Sequence, residues 1–452
     1  MNSKQLTHTA LAMMATAMLT TACTFEQEDY FDESASLRIT HLNENIQQRL
    51  VSQSDTTQGR HGWVIQYFVA GTDDYDFEGF NLLGRFSNNG SVTLAGDHRF
   101  LRNNSGKYTE HTSTYEMLAE EGPVLSFNTW NDVLTVFEDP VDPSQAPKTI
   151  VQNGEGMNGD HNLVLRSYNE NEIVFRGERH SAEVRFVPCD RPWADYLAAT
   201  AAMKNYITNS EINSYYVING ADTMYFVNLR RGYFTYAERV NDPLLPRTEE
   251  CVFTPQGFRL QHADTIGSAT FQEFRMAADS SCLVSEDGNT RVIATWDSYI
   301  QNHTGVWNMK QEQFTAEQQN LFTQIDAAFR KYNSKTSLAS IGLGRSTGGN
   351  SVVGLVLTFY TNTAKTKTNT VGLALHQSQP VFGQFKIESN SDDAVDKNMT
   401  AINSVSSDLI PLTRAFAATL VGTYNVTPNN HFLPTGAKFE AVDGSYTFEI
   451  GD

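Results

Sequence analysis

The chain has 452 residues, of which 40% are hydrophobic and 19% charged, and its 52 acidic against 33 basic residues give a formal net charge of −19. This much apolar material, including 27 Phe and 18 Tyr, supports a sizeable core and excludes a globally disordered chain. The acidic balance excludes a nucleic-acid partner, because phosphate backbones are bound by basic patches. At roughly 150 residues per domain, this length predicts two or three domains.

The first residues have the pattern of a secretory leader that ends at a lipid-attachment cysteine. Lys4 supplies a basic start, residues 10–22 form a short apolar run, and Leu19-Thr-Thr-Ala22 directly precedes Cys23. Such a run is too short to span a bilayer but suits a signal peptide. Small residues before a cysteine resemble a bacterial lipobox. We therefore expect residues 1–22 to be a lipoprotein signal peptide and Cys23 to be the acylated residue, the alternative being an ordinary signal peptide with a chance cysteine.

An acidic segment follows the cysteine. It contains five acids and no basic residue between residues 24 and 34, namely Glu26, Glu28, Asp29, Asp32 and Glu33. Such a run cannot bury itself, so we expect residues 23–50 to be a solvated tether. It also resembles the acidic export signal of surface lipoproteins in Bacteroidetes-type bacteria. The expected location is therefore the outer membrane, lipid-anchored and at the cell surface; a simple charged linker is the alternative.

Residues 51–190 are predicted to form an N-terminal β domain. Its apolar runs are short, rich in aromatic and β-branched residues, and separated by turn residues, which is typical of an antiparallel meander. The predicted strands are 63–69, 80–86, 90–94, 124–127, 133–137, 162–166, 173–176 and 183–187. Eight strands in this length favour a meander barrel or a sandwich.

Residues 191–452 are predicted to form a second, β-rich α+β domain, with a further boundary near residue 300 as the alternative. Asp190 is the expected N-cap of a helix that continues through Trp193, Leu197 and Ala201. Thr315-Ala-Glu-Gln318 is a capping box for another helix, and Leu409–Val421 has one apolar face. The fold class is therefore mainly antiparallel β with a few helices. Phe127–Val133 and Phe253–Phe258 stand at similar points in the two β regions, which hints at a duplication.

Metal and cofactor sites are not indicated. The eleven His are scattered, and Asp73, Asp74 and Asp76 resemble a calcium loop in charge only. Besides Cys23 there are three cysteines, so a Cys251–Cys282 bridge and three free thiols (with Cys189) both remain open. We expect no metal and no cofactor.

Two catalytic signatures occur in unsuitable contexts. Gly154-Glu-Gly-Met-Asn-Gly159 has dinucleotide-loop spacing, and Gly344-Arg-Ser346-Thr-Gly348 has nucleophile-elbow spacing. Both signatures require a helix after the loop, whereas strand-like residues follow each of them here. We therefore expect hairpin loops at both places and assign no catalytic residue. Carboxylate pairs for glycoside hydrolysis remain open, because three-dimensional spacing defines them.

The aromatic residues are the feature that suggests a ligand. Sugar-binding proteins use exposed aromatic platforms, although aromatic side chains on strands more often fill a core. The five tryptophans are spread over the β regions, at Trp63, Trp130, Trp193, Trp296 and Trp307. We expect each of them to lie in the core.

A series of short motifs resembles one protein family. In chain order they are Phe31–Arg38, Gly62-Trp63-x-x-x-Tyr67, Phe86–Val92, Ser113-Thr-Tyr115, Gly122–Asn131, Gly159-Asp160 and Ile173–Gly177. Their order resembles the uncharacterised lipoproteins of domain-of-unknown-function family 4302, most strongly from Phe31 to Val187. The resemblance implies a surface lipoprotein, often encoded beside nutrient importers, and offers no catalytic residues to transfer.

Three functions remain open from the sequence. The first is a non-enzymatic surface lipoprotein that binds a glycan, a peptide or transporter components of a nutrient-uptake system. The second is a hydrolase with a cleft between its domains. The third is an adhesion or assembly protein, which an exposed edge strand or strand-accepting groove would favour. An aromatic-lined concave site would favour the first.

Overall fold

The computed structural model describes residues 33–70, 78–101, 106–120, 122–138, 157–209, 215–220, 222–229, 232–237, 247–266, 268–294, 305–347, 350–378, 383–390 and 392–451. Five α-helices occur in these residues: α1 (Ala35–Gln53), α2 (Trp193–Ile207), α3 (Ala316–Tyr332), α4 (Lys397–Asn403) and α5 (Leu409–Ala418). None of them is long and apolar enough to cross a membrane. Cys23, the Asp73–Asp76 segment and Trp296 lie outside the described residues.

The first nine strands form one antiparallel sheet, called here the first sheet. They are β1 (Trp63–Phe68), β2 (Phe80–Phe86), β3 (Ser91–Gly96), β4 (Thr109–Thr114), β5 (Glu116–Ala119), β6 (Pro123–Ser126), β7 (Asn162–Asn169), β8 (Glu172–Gly177) and β9 (Glu183–Pro188). The spatial order is β4-β3-β2-β1-β9-β8-β7-β6-β5. Every residue of β1 is buried, because Trp63, Ile65 and Tyr67 face the core while Val64 lies under α2.

The next eight strands close into the middle barrel. They are β10 (Tyr215–Asn219), β11 (Asp222–Asn228), β12 (Tyr233–Ala237), β13 (Arg247–Thr254), β14 (Gly257–Ile266), β15 (Ala269–Met276), β16 (Leu283–Ser285) and β17 (Thr290–Ala294). Pairing of β10 with β17 completes the barrel. Phe234, Phe258, Phe271 and Phe274 are fully buried in its core, with the Phe258 and Phe274 ring centroids 5.0 Å apart.

The remaining nine strands form the last sheet. They are β18 (Val306–Met309), β19 (Ser337–Arg345), β20 (Val353–Tyr360), β21 (Thr368–Ala374), β22 (His376–Ser378), β23 (Gln384–Glu388), β24 (Gly422–Pro428), β25 (Gly436–Ala441) and β26 (Thr447–Gly451). Their order, β21-β20-β19-β18-β26-β25-β24-β23-β22, repeats that of the first sheet strand for strand. The suggested duplication of the first β region in the second is wrong, since Phe127 follows a sixth strand and Phe253 lies within a fourth.

In both sheets the segment after the sixth strand returns to the edge of the fourth. In the first sheet Thr129 Oγ1 accepts the Thr114 N–H of β4 at 2.9 Å, and Asn131 Nδ2 donates to the His111 carbonyl at 3.2 Å. In the last sheet Val395 pairs with Leu373 of β21, and Ala374 N donates to the Ala394 carbonyl at 2.7 Å. Both edges therefore have hydrogen-bond partners within the chain, which limits strand addition from outside.

Helix α2 contacts all three β units. Its start covers the outer face of the first sheet, where Trp193 Nε1 donates to the His61 carbonyl at 2.6 Å. Its middle packs on β13 and β14, with Lys204 Nζ 5.0 Å from the centre of the Phe253 ring. Near its end, Tyr206 Oη donates to Asn430 Oδ1 of the last sheet at 2.7 Å. This helix positions the three units around one junction.

The first sheet and the middle barrel also meet directly. Gly79 N donates to the Cys251 carbonyl at 3.2 Å and Asn81 Nδ2 to the Phe253 carbonyl at 2.7 Å. His262 Nε2 lies 3.2 Å from Glu183 of the first sheet, and its Nδ1 lies 3.3 Å from Glu249 of the middle barrel. Hydrogen bonds from both main-chain and side-chain groups thus join the two units.

The segment expected to be a tether is a packed helix over much of its length. Helix α1 begins at Ala35, after the N-cap Ser34, and buries Ile46 and Leu50 against the core of the first sheet. The prediction of a solvated tether is therefore wrong for residues 35–50. The sequence did not indicate this helix, because its apolar residues are separated by polar ones. The acidic run before it also made the whole segment resemble a linker.

Other sequence expectations change at single elements. The run Val133–Phe137 is not a strand: Thr135–Phe137 forms a 3₁₀ turn whose Val136 and Phe137 fill the core. Helix α2 has Pro192 rather than Asp190 at its N-cap, without a side-chain cap. The capping box of Thr315 and Gln318 is confirmed at the start of α3. Cys189, Cys251 and Cys282 are all buried free thiols, so Cys251 and Cys282 form no disulfide.

Candidate ligand pocket

Residues 344–347 of one catalytic signature lead from β19 into its hairpin connection with β20, as expected, whereas residues 154–156 of the Gly154–Gly159 signature lie outside the described residues. Ser346 lies between β19 and β20, is 1% exposed, and its Oγ accepts the Val352 N–H at 3.2 Å. Gly159 is followed by Asp160 and strand β7, so no helix N-terminus is available for a phosphate at that point. Within the described residues no group of three or more His, Cys, Asp or Glu side chains could hold a metal ion.

The motifs that carry the family resemblance are structural in the first sheet. Trp63 Nε1 donates to the Leu50 carbonyl at 3.0 Å and thereby fixes α1. The Tyr67 hydroxyl accepts the Asp160 N–H at 2.6 Å. The Asp160 carboxylate is buried and accepts the backbone N–H groups of Arg179, His180 and Ala182 between β8 and β9. Trp63, Tyr67 and Asp160 therefore have structural roles in the first sheet.

The tryptophans separate into core and surface. Trp63, Trp193 and Trp307 are buried, as expected. Trp130 is 44% exposed, which contradicts the expectation of a core position. Its Nε1 donates to Asp132 Oδ1 at 2.6 Å, and Asp132 Oδ2 lies 2.8 Å from His111 Nδ1 on edge strand β4. Because these bonds hold the loop against β4, Trp130 has a structural role as well as an exposed ring.

A pocket of about 250 Å³ lies where the first sheet, α2 and the middle barrel meet, and is called here the junction pocket. Phe80 and Phe253 are among its lining residues, and the Phe253 ring has Lys204 Nζ 5.0 Å from its centre, whereas the Phe80 ring packs against Phe137 in the core of the first sheet. Its polar side chains are Glu78, Asn81, Asp97, His98, Arg99, Thr200 and Lys204. The remaining lining residues are Gly79, Leu197 and Ala201. A concave site with apolar walls and converging polar groups is the usual form of a small-molecule site.

Glu78 is the centre of the charge pairing in this pocket. Its Oε2 lies 3.1 Å from Lys204 Nζ on α2, and its Oε1 lies 4.0 Å from Arg99 Nη2 after β3. The middle barrel approaches Glu78 closely at Gly232, where a Cβ atom would lie 2.2 Å from the Glu78 Cβ. Gly232 also has φ +80°, so two independent constraints require glycine at this contact. Glu78 is thereby held between two units and two cations.

Asp97 and His98 follow β3, and burial shifts their pKa values in opposite directions. Burial raises the pKa of the Asp97 carboxyl above its usual value, and Lys204 offsets this only in part. Burial lowers the pKa of His98 to about 4, so the imidazole is neutral near pH 7. His98 Nε2 donates to the Val133 carbonyl at 2.9 Å, and Nδ1 has no hydrogen-bond partner. Perturbed groups in a cleft are characteristic of functional sites.

Other concave surfaces carry less chemistry. A groove of about 760 Å³ runs between α1 and the β2–β3 hairpin and is lined mainly by amide, hydroxyl and carboxylate side chains. Its Asp55 already accepts hydrogen bonds from Thr57 and Gln58. On the last sheet, His376 Nδ1 lies 2.9 Å from the buried Asp393 carboxylate, which resembles the orienting half of a catalytic triad. No hydroxyl or thiol in the described residues bonds to His376 Nε2.

None of the polar residues of the junction pocket was singled out from the sequence. Asp97-His98-Arg99 directly follows a strand that ends Leu94-Ala95-Gly96, and this cluster of charge after a buried strand is the one local signal. Glu78, Lys204 and Phe253 come from distant parts of the chain, so only folding brings them to Asp97.

The fold and the pocket define a class: a multi-domain, mainly antiparallel β protein with three units and a ligand-sized pocket at their junction. Residues 27–278 match the profile described as "Domain of unknown function (DUF4302)". This range covers more than half of the chain, so the chain belongs to that family and the resemblance noted in its sequence is confirmed. No curated protein and no solved structure matches the chain.

The matched range bears on the site. It contains every residue that lines the junction pocket, from Glu78 to Phe253, and it ends between β15 and β16 of the middle barrel. The last sheet lies beyond it. The junction pocket is therefore a feature of the family segment of this chain.

Proposed function

We propose that the protein is a lipid-anchored binding protein of the outer cell surface that captures a small polar ligand in the junction pocket and serves a nutrient-uptake system. The observation that carries this proposal is the pocket itself, where Phe253 and the polar side chains of Asp97 and Lys204 line one cavity of about 250 Å³. A pocket of this size suits a compact ligand, such as one sugar unit of a glycan or one residue of a peptide.

The proposed location rests on the N-terminal sequence. Cys23 supplies the acylation site, and residues 24–34 supply a short acidic spacer before α1. Cys23→Ala should release the protein from the membrane fraction, because it removes the residue that carries the acyl chains. Stable anchoring needs two or more such chains. Persistent detergent-phase partitioning of Cys23→Ala would count against a lipid anchor. Deletion of residues 24–34 should reduce surface presentation while ligand binding is retained.

The test of binding blocks the pocket without disturbing the fold. Ala201 lines the pocket at an exposed position of α2, whereas its neighbour Ala202 is exposed and does not line it. The protein without its anchor, residues 24–452, is titrated calorimetrically with monosaccharides, oligosaccharides, amino acids and short peptides. A ligand of the junction pocket is lost in Ala201→Trp and kept in Ala202→Trp. Equal binding by both variants would place the ligand elsewhere.

The pocket also supports a hydrolase as the second candidate. Glu78 is paired with two cations, while the pKa of Asp97 is raised by burial, and carboxyl groups in contrasting environments are what acid–base hydrolysis requires. Chromatography of the titrated oligosaccharides and peptides separates the two functions. Release of cleaved product at catalytic turnover, lost in Glu78→Gln, favours the hydrolase; intact ligand favours the binding protein.

The third candidate, adhesion or assembly by strand addition, has less support. It requires a free strand edge, whereas the edges of β4 and β21 are both bonded to segments of the same chain. Helix α1 packs on β5, and Asn43 Nδ2 donates to the Leu118 carbonyl of that strand at 3.1 Å.

A further inference from the structure

The two carboxylates of the junction pocket, Glu78 and Asp97, differ in their cation partners. Lys204 Nζ lies 3.1 Å and Arg99 Nη2 lies 4.0 Å from Glu78. Within the described residues the Asp97 carboxylate forms no ion pair, although it lines the same cavity and is partly buried. The pocket therefore contains one carboxylate with two cation partners and one, Asp97, that has only a longer-range attraction to Lys204.

We propose that the junction pocket binds its ligand through a primary ammonium group that pairs with Asp97, so that the ligand is a compact amine of amino-sugar or amino-acid size. This inference rests on the proposed binding function and names the ligand chemistry for the same pocket. A partly buried carboxylate is costly when unpaired, and an ammonium group both neutralises it and supplies three hydrogen-bond donors.

The walls of the pocket also favour a cation. The Phe253 ring, which belongs to the pocket lining, has the Lys204 ammonium 5.0 Å from its centre, so this wall already accommodates a cation. A cation near an aromatic face gains from the negative charge of that face, most of all where water is excluded. The formal net charge of −19 attracts cations to the protein and disfavours anionic ligands.

A divalent metal is a weaker fit to the same groups. His98 Nε2 is bonded to the Val133 carbonyl, and the His98 Nδ1 atom is buried away from solvent. In the part of the chain that the structure describes, no three potential ligands converge. A metal would therefore have Asp97 with little support, whereas an ammonium group needs only the carboxylate and the Phe253 ring.

The experiment compares amines with their neutral partners. Residues 24–452 are titrated at pH 7 with glucosamine against glucose and N-acetylglucosamine, and with putrescine against butane-1,4-diol. At least one amine should bind ten-fold or more tightly than its neutral partner. Asp97→Asn should remove that preference, while Asp195→Asn, which removes an exposed carboxylate from the first turn of α2, should keep it. Binding should weaken as the pH falls and Asp97 becomes protonated.

The outcomes separate this inference from the proposed function. A neutral ligand that binds as tightly as its amine, is insensitive to Asp97→Asn and is lost in Ala201→Trp would overturn the ammonium inference and keep the pocket. Absence of binding by every amine would overturn it as well. Tight binding of Zn²⁺ alone, lost in Asp97→Asn, would replace the amine by a metal.

Discussion

The two nine-stranded sheets differ in the buried polar side chain that lies beside the fourth strand. This side chain is Asn131 in the first sheet and Asp396 in the last. Asn131 Nδ2 donates to the His111 carbonyl and to Ser113 Oγ, at 3.2 and 2.9 Å. Asp396 Oδ2 instead accepts the Gly372 N–H at 2.5 Å, while Oδ1 accepts the Met399 N–H at 2.8 Å. One edge presents acceptors and the other presents a donor, so an amide suits the first and a carboxylate the second.

The two sheets share a strand order but have their helices at different points along the chain. Helix α1 precedes the strands of the first sheet and packs on β2, β5 and β6. In the last sheet α3 follows the first strand, and α4 and α5 follow the sixth. The comparison shows that strand order can repeat while helices, buried polar groups and pockets differ. These three features depend on local contacts, which are not the same in the two sheets. Substitutions in the two sheets can test how far their stabilities are separate.

The largest expected effect is at Asp160, which locks the β8–β9 connection of the first sheet. Asp160→Ala leaves the N–H groups of Arg179, His180 and Ala182 without their acceptor. Loss of several charge-assisted bonds should lower the unfolding free energy of the first sheet by about 4 kcal/mol. Urea unfolding followed by hydrogen exchange should locate the loss in residues 63–188. Asp443→Ala, at an exposed turn of the last sheet, is the matched control and should change stability far less.

Acid should destabilise the first sheet, because burial of His98 there disfavours its protonated form. The folded protein holds the pKa of His98 near 4, below its usual value of 6.5, so the unfolded chain binds more protons between these pH values. Stability is therefore complete above pH 6.5 and falls by up to about 3 kcal/mol as the pH approaches 4.

His98→Gln removes the titrating group and keeps a side-chain donor for the Val133 carbonyl. Its unfolding free energy should depend less on pH between 6.5 and 4 than that of the unsubstituted protein. Identical pH profiles of the two proteins in urea titrations would mean that His98 does not cause the acid sensitivity.

Exchanging the two edge residues tests the comparison most directly. Asn131→Asp sets a carboxylate against the His111 carbonyl, and Asp396→Asn weakens the acceptor for Gly372 N–H. Each exchange should cost about 2 kcal/mol, because a buried polar group loses a matching partner. The costs should add in the double variant, since the sites lie in different sheets. Thermal unfolding measures the stability of the single and double variants. An exchange that leaves stability unchanged at either edge would show that the strand does not determine the residue type there.

The smallest effect concerns Asp97, and it has the opposite sign. Folding raises the pKa of Asp97, so the protein without ligand is most stable where this carboxyl is protonated and loses stability as the pH rises through its folded pKa. Asp97→Asn should therefore stabilise the protein at pH 7 by less than about 1 kcal/mol, since solvent screens this partly exposed group. Unchanged or lower stability in a thermal melt at pH 7 would indicate that Asp97 has a favourable partner in the folded state.

Local sequence patterns determined the class of the fold and many of its elements. The strand Phe80–Phe86 and the capping box at Thr315 follow from alternation, turn residues and side-chain bonding within a few positions. The order of the family motifs likewise indicated the family, and three of their residues, Trp63, Tyr67 and Asp160, form hydrogen bonds that stabilise the first sheet.

The tertiary structure decided what periodicity does not encode. Val133–Phe137 is apolar enough for a strand, yet Asn131 accepts the Val133 N–H at 3.0 Å and the core takes Val136 and Phe137 as a turn. The junction pocket needs Glu78, Asp97, Lys204 and Phe253 together, and α2 achieves this by packing on two β units. Side-chain periodicity reports which face of an element is buried, whereas a pocket depends on which element lies opposite, and that is settled only when the units pack.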